Sequence, residues 1–174
     1  QRGDTCAFAE RESTSPDAAW RMITWAEMWQ QIQSVGAALL EMGLGADCPL
    51  MILSGNSIEH AILVLAAEHV GVPTAPVSPA YSLVSKDFAR LRDVVSLVPP
   101  GAIFVQDAAA FARALDVIGK PDVPVIAVRG ARKGHHDWAS LVATTVTPAR
   151  RAAVQAAHDA IHEDDLGRVL FTSG

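Results

Sequence analysis

Two rhythms of apolar residues alternate along this chain. Short runs are apolar at every position, whereas longer stretches carry apolar residues every three or four positions. Leu50-Met51-Ile52-Leu53 is the clearest of the first kind, and its uninterrupted apolar character fits a strand buried on both faces. Ala102-Ile103-Phe104-Val105 repeats it, and Val123 to Val128 forms a similar run with Pro124 near its start. Val72 to Val77 carries Pro73 and Pro76. Proline donates no ladder hydrogen bond, so this strand fits an edge. Ala18 to Ile23 reads as a strand or lead-in, and Arg168-Val169-Leu170-Phe171-Thr172 as a last strand.

The second rhythm predicts helices. Met28, Ile32, Val35, Leu39 and Met42 follow at helical spacing and draw one apolar stripe. Thr24-Trp25-Ala26-Glu27 before them is a capping box, and Gly43 suits the left-handed residue just past the end. Ile58, Ile62, Leu65 and His69 line a second helix, with Asn56 as its cap, Glu59 in its first turn and Gly71 at its end. Ser85 is expected to cap a helix over Lys86 to Val98, and Asp107 one over Ala108 to Ile118. Asp137 precedes a short helix through Leu141 and Val142. Thr147-Pro148 opens a last helix running to about His158.

Strands and helices thus alternate, which predicts an α/β fold: a mainly parallel sheet with helices on both faces. Residues 1–174 carry no repeat or low-complexity linker, and a single domain is expected.

Composition narrows the function. Half of the residues are hydrophobic and 19% are charged, a globular balance. The net charge of −5 gives no reason to expect nucleic acid or an anionic membrane as partner. Cys6 and Cys48 stand in no metal or redox spacing, which fits the reducing cytoplasm. No segment approaches the ~20 apolar residues of a membrane span.

Three places could carry chemistry. Ligands of open parallel sheets sit at the carboxyl ends of strands. There, Leu53-Ser54-Gly55-Asn56-Ser57 reads either as a turn with its N-cap or as a helix start holding an anion. Leu170-Phe171-Thr172-Ser173-Gly174 reads either as a plain turn or as the opening of a loop that cradles phosphate with hydroxyls and amides. His158-Asp159-Ala160-Ile161-His162 has the two-histidine spacing of a zinc hydrolase motif, although Asp159 stands where the general-base glutamate belongs. The bland alternative is a solvated helix end. His135-His136-Asp137 reads as an exposed loop, with a metal contact as the alternative; His69 suits a helix C-terminus; and Tyr81 is expected to pack over the sheet edge, with a pocket lining as the alternative.

The order of these segments resembles a known family. Thr24-Trp25-Ala26-Glu27, Ala37-Ala38-Leu39-Leu40 and Gly43-Leu44 are similar to the opening "T-Y-x-E … A-x-x-L-x-x-x-G-L" of the adenylate-forming enzymes, the acyl-CoA synthetase superfamily. Leu53 to Glu59 resembles their strand-N-x-x-E turn, and Ala66 to Pro76 their "A-x-x-x-x-G-x-x-x-x-P" segment. Leu170 to Gly174 resembles the first half of their phosphate-loop motif, L-F-T-S-G-S-T-G-x-P-K-G. Within the superfamily, Ile52 to Val95 is most similar to feruloyl-CoA synthetases, with Pro76 to Ser85 the most distinctive stretch.

The resemblance implies an AMP-forming acid–CoA ligase that uses a small carboxylic acid such as ferulate, ATP, Mg²⁺ and coenzyme A. Thr172, Ser173 and Gly174 match the loop that binds the β- and γ-phosphates. No residue of this chain matches the family's catalytic lysine, and none is assigned to a metal. The sequence stops inside the phosphate-loop motif, so residues 1–174 are expected to be the N-terminal α/β part of such a ligase, inactive alone. A binding or assembly module on the same fold, and a zinc hydrolase built on His158 and His162, are the alternatives.

Overall fold

The computed structural model describes residues 3–13 and 15–172. A hairpin comes first: β1 (Cys6–Arg11) pairs antiparallel with β2 (Trp20–Thr24). Then come α1 (Trp25–Glu41), β3 (Leu50–Leu53), α2 (Ile58–His69), β4 (Thr74–Val77) and a π-helical turn, Ala80–Val84. The chain continues through α3 (Ala89–Leu97), β5 (Ala102–Asp107), α4 (Ala112–Ile118), β6 (Val125–Arg129), β7 (His136–Asp137), α5 (Trp138–Val142) and α6 (Pro148–Asp159).

Strands β3 to β7 form one parallel sheet in the order β4-β3-β5-β6-β7. β3 lies second in the sheet, between β4 and β5, and its four side chains are all fully buried. Their alternation builds two cores. Leu50 and Ile52 join Ala102, Phe104 and Ile126 under α1, α2, α5 and α6. Met51 and Leu53 join Ile103, Val105 and Ala127 under α3 and α4. The expected α/β architecture is therefore present, with the two prolines of the Val72–Val77 run at the β4 edge.

Local chemistry explains the element boundaries. Thr24 accepts a hydrogen bond from the Glu27 amide at 3.2 Å, while the Glu27 carboxylate accepts from the Thr24 amide at 2.9 Å. This closes the expected capping box, and these contacts hold the Glu27 carboxyl below its ordinary pKa. Gly43 and Gly71 take the left-handed backbone that ends α1 and α2.

Several boundaries differ from expectation. The cap of α2 is Ser57, not Asn56: its hydroxyl accepts from the His60 amide at 3.1 Å. The third helix starts at Ala89 rather than Lys86. Ser85 accepts from the Phe88 amide at 3.0 Å, and Phe88 takes a left-handed conformation that buries its ring beneath the sheet. Asp107 accepts from the amides of Ala109 and Ala110, but it caps a turn and α4 begins only at Ala112. Asp137 precedes α5 without a capping hydrogen bond.

The expected last strand, Arg168 to Thr172, contracts to a single parallel bridge between Thr74 and Arg168. Thr74 donates to the Gly167 carbonyl at 3.1 Å and accepts from the Val169 amide at 2.8 Å. In a parallel ladder the next donor on that side of β4 would be Pro76, which has no N–H, so the pairing stops. Among the described residues no helix is long and apolar enough to cross a membrane.

Candidate functional site

The turn after β3 is a closed polar knot. Ser54 and Ser57 place their hydroxyls 2.7 and 2.8 Å from Oε1 of Gln106 on the neighboring strand β5. Each hydroxyl has one proton to give, and this oxygen can accept both. The first free amide of α2, that of Ile58, donates to Oε2 of Glu10 at 2.8 Å. The anion suited to this helix start is thus a carboxylate of the protein itself, carried in by the hairpin.

Arg21 ties the hairpin down. Its guanidinium pairs with Glu10 across the ribbon and with Glu59 of α2 at 2.6 Å. Glu59 is almost wholly buried. Burial, the largest single influence, pushes its carboxyl toward higher pKa; the Arg21 hydrogen bond and charge, a backbone amide and the Ser57 hydroxyl together outweigh it, and the net shift is downward. Arg21 is held firmly protonated, first by its bond to Glu59. Beside this knot lies an open cleft of about 390 Å³, lined among others by Arg21, Asn56, Gln106 and Arg129. The sequence reading missed Glu10 and Arg21 as members of this site. The signal available was only their direct pairing across a hairpin.

The second strand end is open. Leu170 keeps 70% of its surface exposed, Phe171 packs partly against the α3–α4 core, and Thr172 is exposed. The Thr172 hydroxyl is thus available to a ligand. Ser173 and Gly174 lie outside the described residues. Upstream, Arg168 pairs with Glu68 of α2 at 3.0 Å and anchors the segment beside β4.

The histidine reading is overturned. Helix α6 ends at Asp159, so His158 and His162 do not share a helical face. The His162 amide instead donates to Asp165 at 2.8 Å in the following turn. His158 packs its ring on His69, 4.4 Å between centroids. Among the described residues no group of three or more His, Cys, Asp or Glu side chains converges as a metal site. His136 and Asp137 form the short strand β7, and Tyr81 packs from the π-helical turn against the α3–α4 core.

An open parallel sheet with helices on both faces, and with a hydroxyl-bearing segment leaving along its edge, defines an α/β domain. The family is more specific. Residues 2–174 match the family described as AMP-binding enzyme, and the chain belongs to that family. No curated protein sequence matches it significantly.

Solved structures with the same fold include synthetases and a ligase. An ATP-bound MatB from Rhodopseudomonas palustris is 20% identical with a TM-score of 0.64, over 88% of this chain and 28% of that one. Acetoacetyl-CoA synthetase from Streptomyces lividans is 22% identical with a TM-score of 0.61, over 75% of this chain and 22% of its own. A fatty acyl-adenylate ligase from L. pneumophila, in complex with acyl adenylate and pyrophosphate, is 16% identical with a TM-score of 0.62, over 92% and 24%. The chain therefore spans about a quarter of the length of these structures.

Proposed function

We propose that this chain is the N-terminal part of an AMP-forming carboxylic acid–CoA ligase acting on a hydroxycinnamate such as ferulate. The family match across residues 2–174 carries the reading. The similarity of Ile52 to Val95 to feruloyl-CoA synthetases supports the substrate class. In such a reaction the acid's carboxylate attacks the α-phosphate of ATP and pyrophosphate leaves. The thiol of coenzyme A then displaces AMP from the acyl-adenylate.

Thr172, Ser173 and Gly174 bind the β- and γ-phosphates in this proposal. A hydroxyl and backbone amides suit that task because they donate to phosphate oxygens whose charge grows as pyrophosphate departs. The Ser54–Gln106 knot and the Arg21 clamp serve as scaffold. Mg²⁺ would arrive with the nucleotide; no carboxylate cluster among the described residues fits it, and no step is assigned to it. ATP, coenzyme A and the acid are the expected small-molecule partners, in the cytoplasm.

The test has two stages. The source gene is read past the codon for Gly174, where Ser-Thr-Gly-x-Pro-Lys-Gly is expected. Its complete product is then assayed for CoA thioesters with ferulate, coumarate, a fatty acid and acetate. A hydroxycinnamoyl thioester as preferred product supports the proposal. Thioesters only of the aliphatic acids would move the substrate class, and a stop codon after Gly174 would favor a binding or assembly module. Residues 1–174 alone are expected to release no pyrophosphate above blank.

A further inference from the structure

Three helices of the molecule meet at a pair of histidines. His69 closes α2, and His158 lies in the last turn of α6. Their rings tilt by 35° at 4.4 Å. Trp29 of α1 sets its ring edge-on to His69 at 5.2 Å. Gln33, a buried residue of α1, places its amide nitrogen 3.0 Å from Nε2 of His69. Nδ1 of His158 lies 3.1 Å from the His69 carbonyl oxygen. The carbonyl can only accept, so the His158 proton sits on Nδ1. The Gln33 amide donates, so Nε2 of His69 is the lone-pair nitrogen.

We propose that His69 and His158 form a pH-sensitive clasp, which fixes the C-terminal end of α6 onto α1 and α2 while the His69 ring is neutral and releases it when His69 is protonated. Neutral rings stack and keep the Gln33 bond. A proton on Nε2 of His69 replaces that acceptor by a donor, so the Gln33 amide must turn over inside a packed site to keep the contact.

The C-terminal dipoles of α2 and α6 offer a protonated ring some compensation, and the neighboring side chains little. Trp29 and Gln33 of α1 are uncharged. Arg151 of α6 lines the cleft that holds those two side chains and adds positive charge. Glu68 of α2 is engaged by Arg168, and Asp159 accepts from Gln155 at 2.7 Å. Burial first, and the His158 charge second, hold His69 below its ordinary pKa. The unfolded chain therefore takes up the proton at higher pH than the folded one. The clasp is at full strength above about pH 6.5, the ordinary histidine value, and weakens as pH falls from there through the folded pKa.

The other end of α6 stays fixed. Arg150 grips both carboxylate oxygens of Glu41 at 2.6 and 3.1 Å, a contact that involves no histidine. The opening is therefore local to the histidine end. That end leads through Ile161, which packs beside Gly71, to the Arg168 bridge and Thr172. If the phosphate-binding proposal holds, protonation would disturb the approach to that segment; the clasp itself does not depend on it.

Two readouts on the 174-residue chain test the clasp: imidazole titration by NMR, and amide exchange corrected for the intrinsic effect of pH. Exchange at Ala156 to Asp159 is expected to speed at least ~10-fold relative to Leu50–Leu53 between about pH 7.5 and 5.5. His158→Gln should cut that change to less than ~3-fold and return the His69 pKa toward its ordinary value. His162→Gln should leave both as they are. An α6 end that keeps its protection relative to β3, or a His69 that titrates at or above the ordinary value, would overturn the proposal. Both of these measurements are made on the unsubstituted chain, so they decide the matter even where a variant fails to fold.

Discussion

The two strand ends that the sequence marks as possible ligand sites differ in how they are held. At Leu53–Ser57 the protein supplies partners of its own: Gln106 for two hydroxyls, Glu10 for the helix amide, and Arg21 for Glu10 and one oxygen of Glu59. At Leu170–Thr172 one backbone bridge holds the segment, and Leu170 and Thr172 face solvent. Small polar residues at a strand end therefore do not by themselves mark a site. What separates the two is whether the protein supplies its own partners. The first end is architecture, and the second has the free groups.

Substitutions probe that contrast. The largest effect is expected beneath the closed end. Phe104→Ala removes a ring with no exposed surface and should cost about 4 kcal/mol in denaturant unfolding. Leu170→Ala should cost less than about 0.5 kcal/mol. Arg21→Ala leaves Glu59 buried without its cation. A loss of about 2 kcal/mol is expected, discounted from a fully buried pair because Arg21 is itself partly exposed. That loss should shrink as pH falls through the Glu59 pKa and the carboxyl takes up a proton.

At the open end the effect moves from stability to rate. Thr172→Ala should leave the unfolding midpoint unchanged, yet slow ATP-dependent turnover of the complete gene product about 10-fold, the worth of one hydrogen bond to a charged oxygen. Ser57→Ala removes the cap of α2 and should cost about 1 kcal/mol. The smallest change is Pro76→Ala. It supplies the missing N–H and should yield a protected amide at that position by hydrogen exchange. Net stability should shift by less than about 0.5 kcal/mol, since the more flexible unfolded chain offsets the new bond.

Much of this contrast was legible in residue order. The run Leu50–Leu53 identified an interior strand, because burial on both faces is what suits four apolar residues in succession. The α1 stripe and its capping box were legible because they are local. The hairpin was half hidden: Cys6 to Arg11 contains alanines and charges with weak strand preference, and gains its structure from β2. Whether Asn56 or Ser57 caps α2 depends on which side chain reaches the His60 amide, which residue type does not decide. The clasp was invisible, since 89 residues separate His69 from His158. The two-histidine spacing, kept as an alternative to a solvated helix end, has no shared helical face to act on because α6 stops one residue past His158.

Adenylate formation is the step on which the proposed function turns, and ATP–pyrophosphate exchange catalyzed by the complete gene product measures it. Exchange of labeled pyrophosphate into ATP is expected to require a hydroxycinnamic acid, to proceed without coenzyme A and to fall about 10-fold in Thr172→Ala. Exchange at the blank rate across hydroxycinnamic, aliphatic and amino acids, from a folded product that spans the whole gene, would refute adenylate formation by this protein.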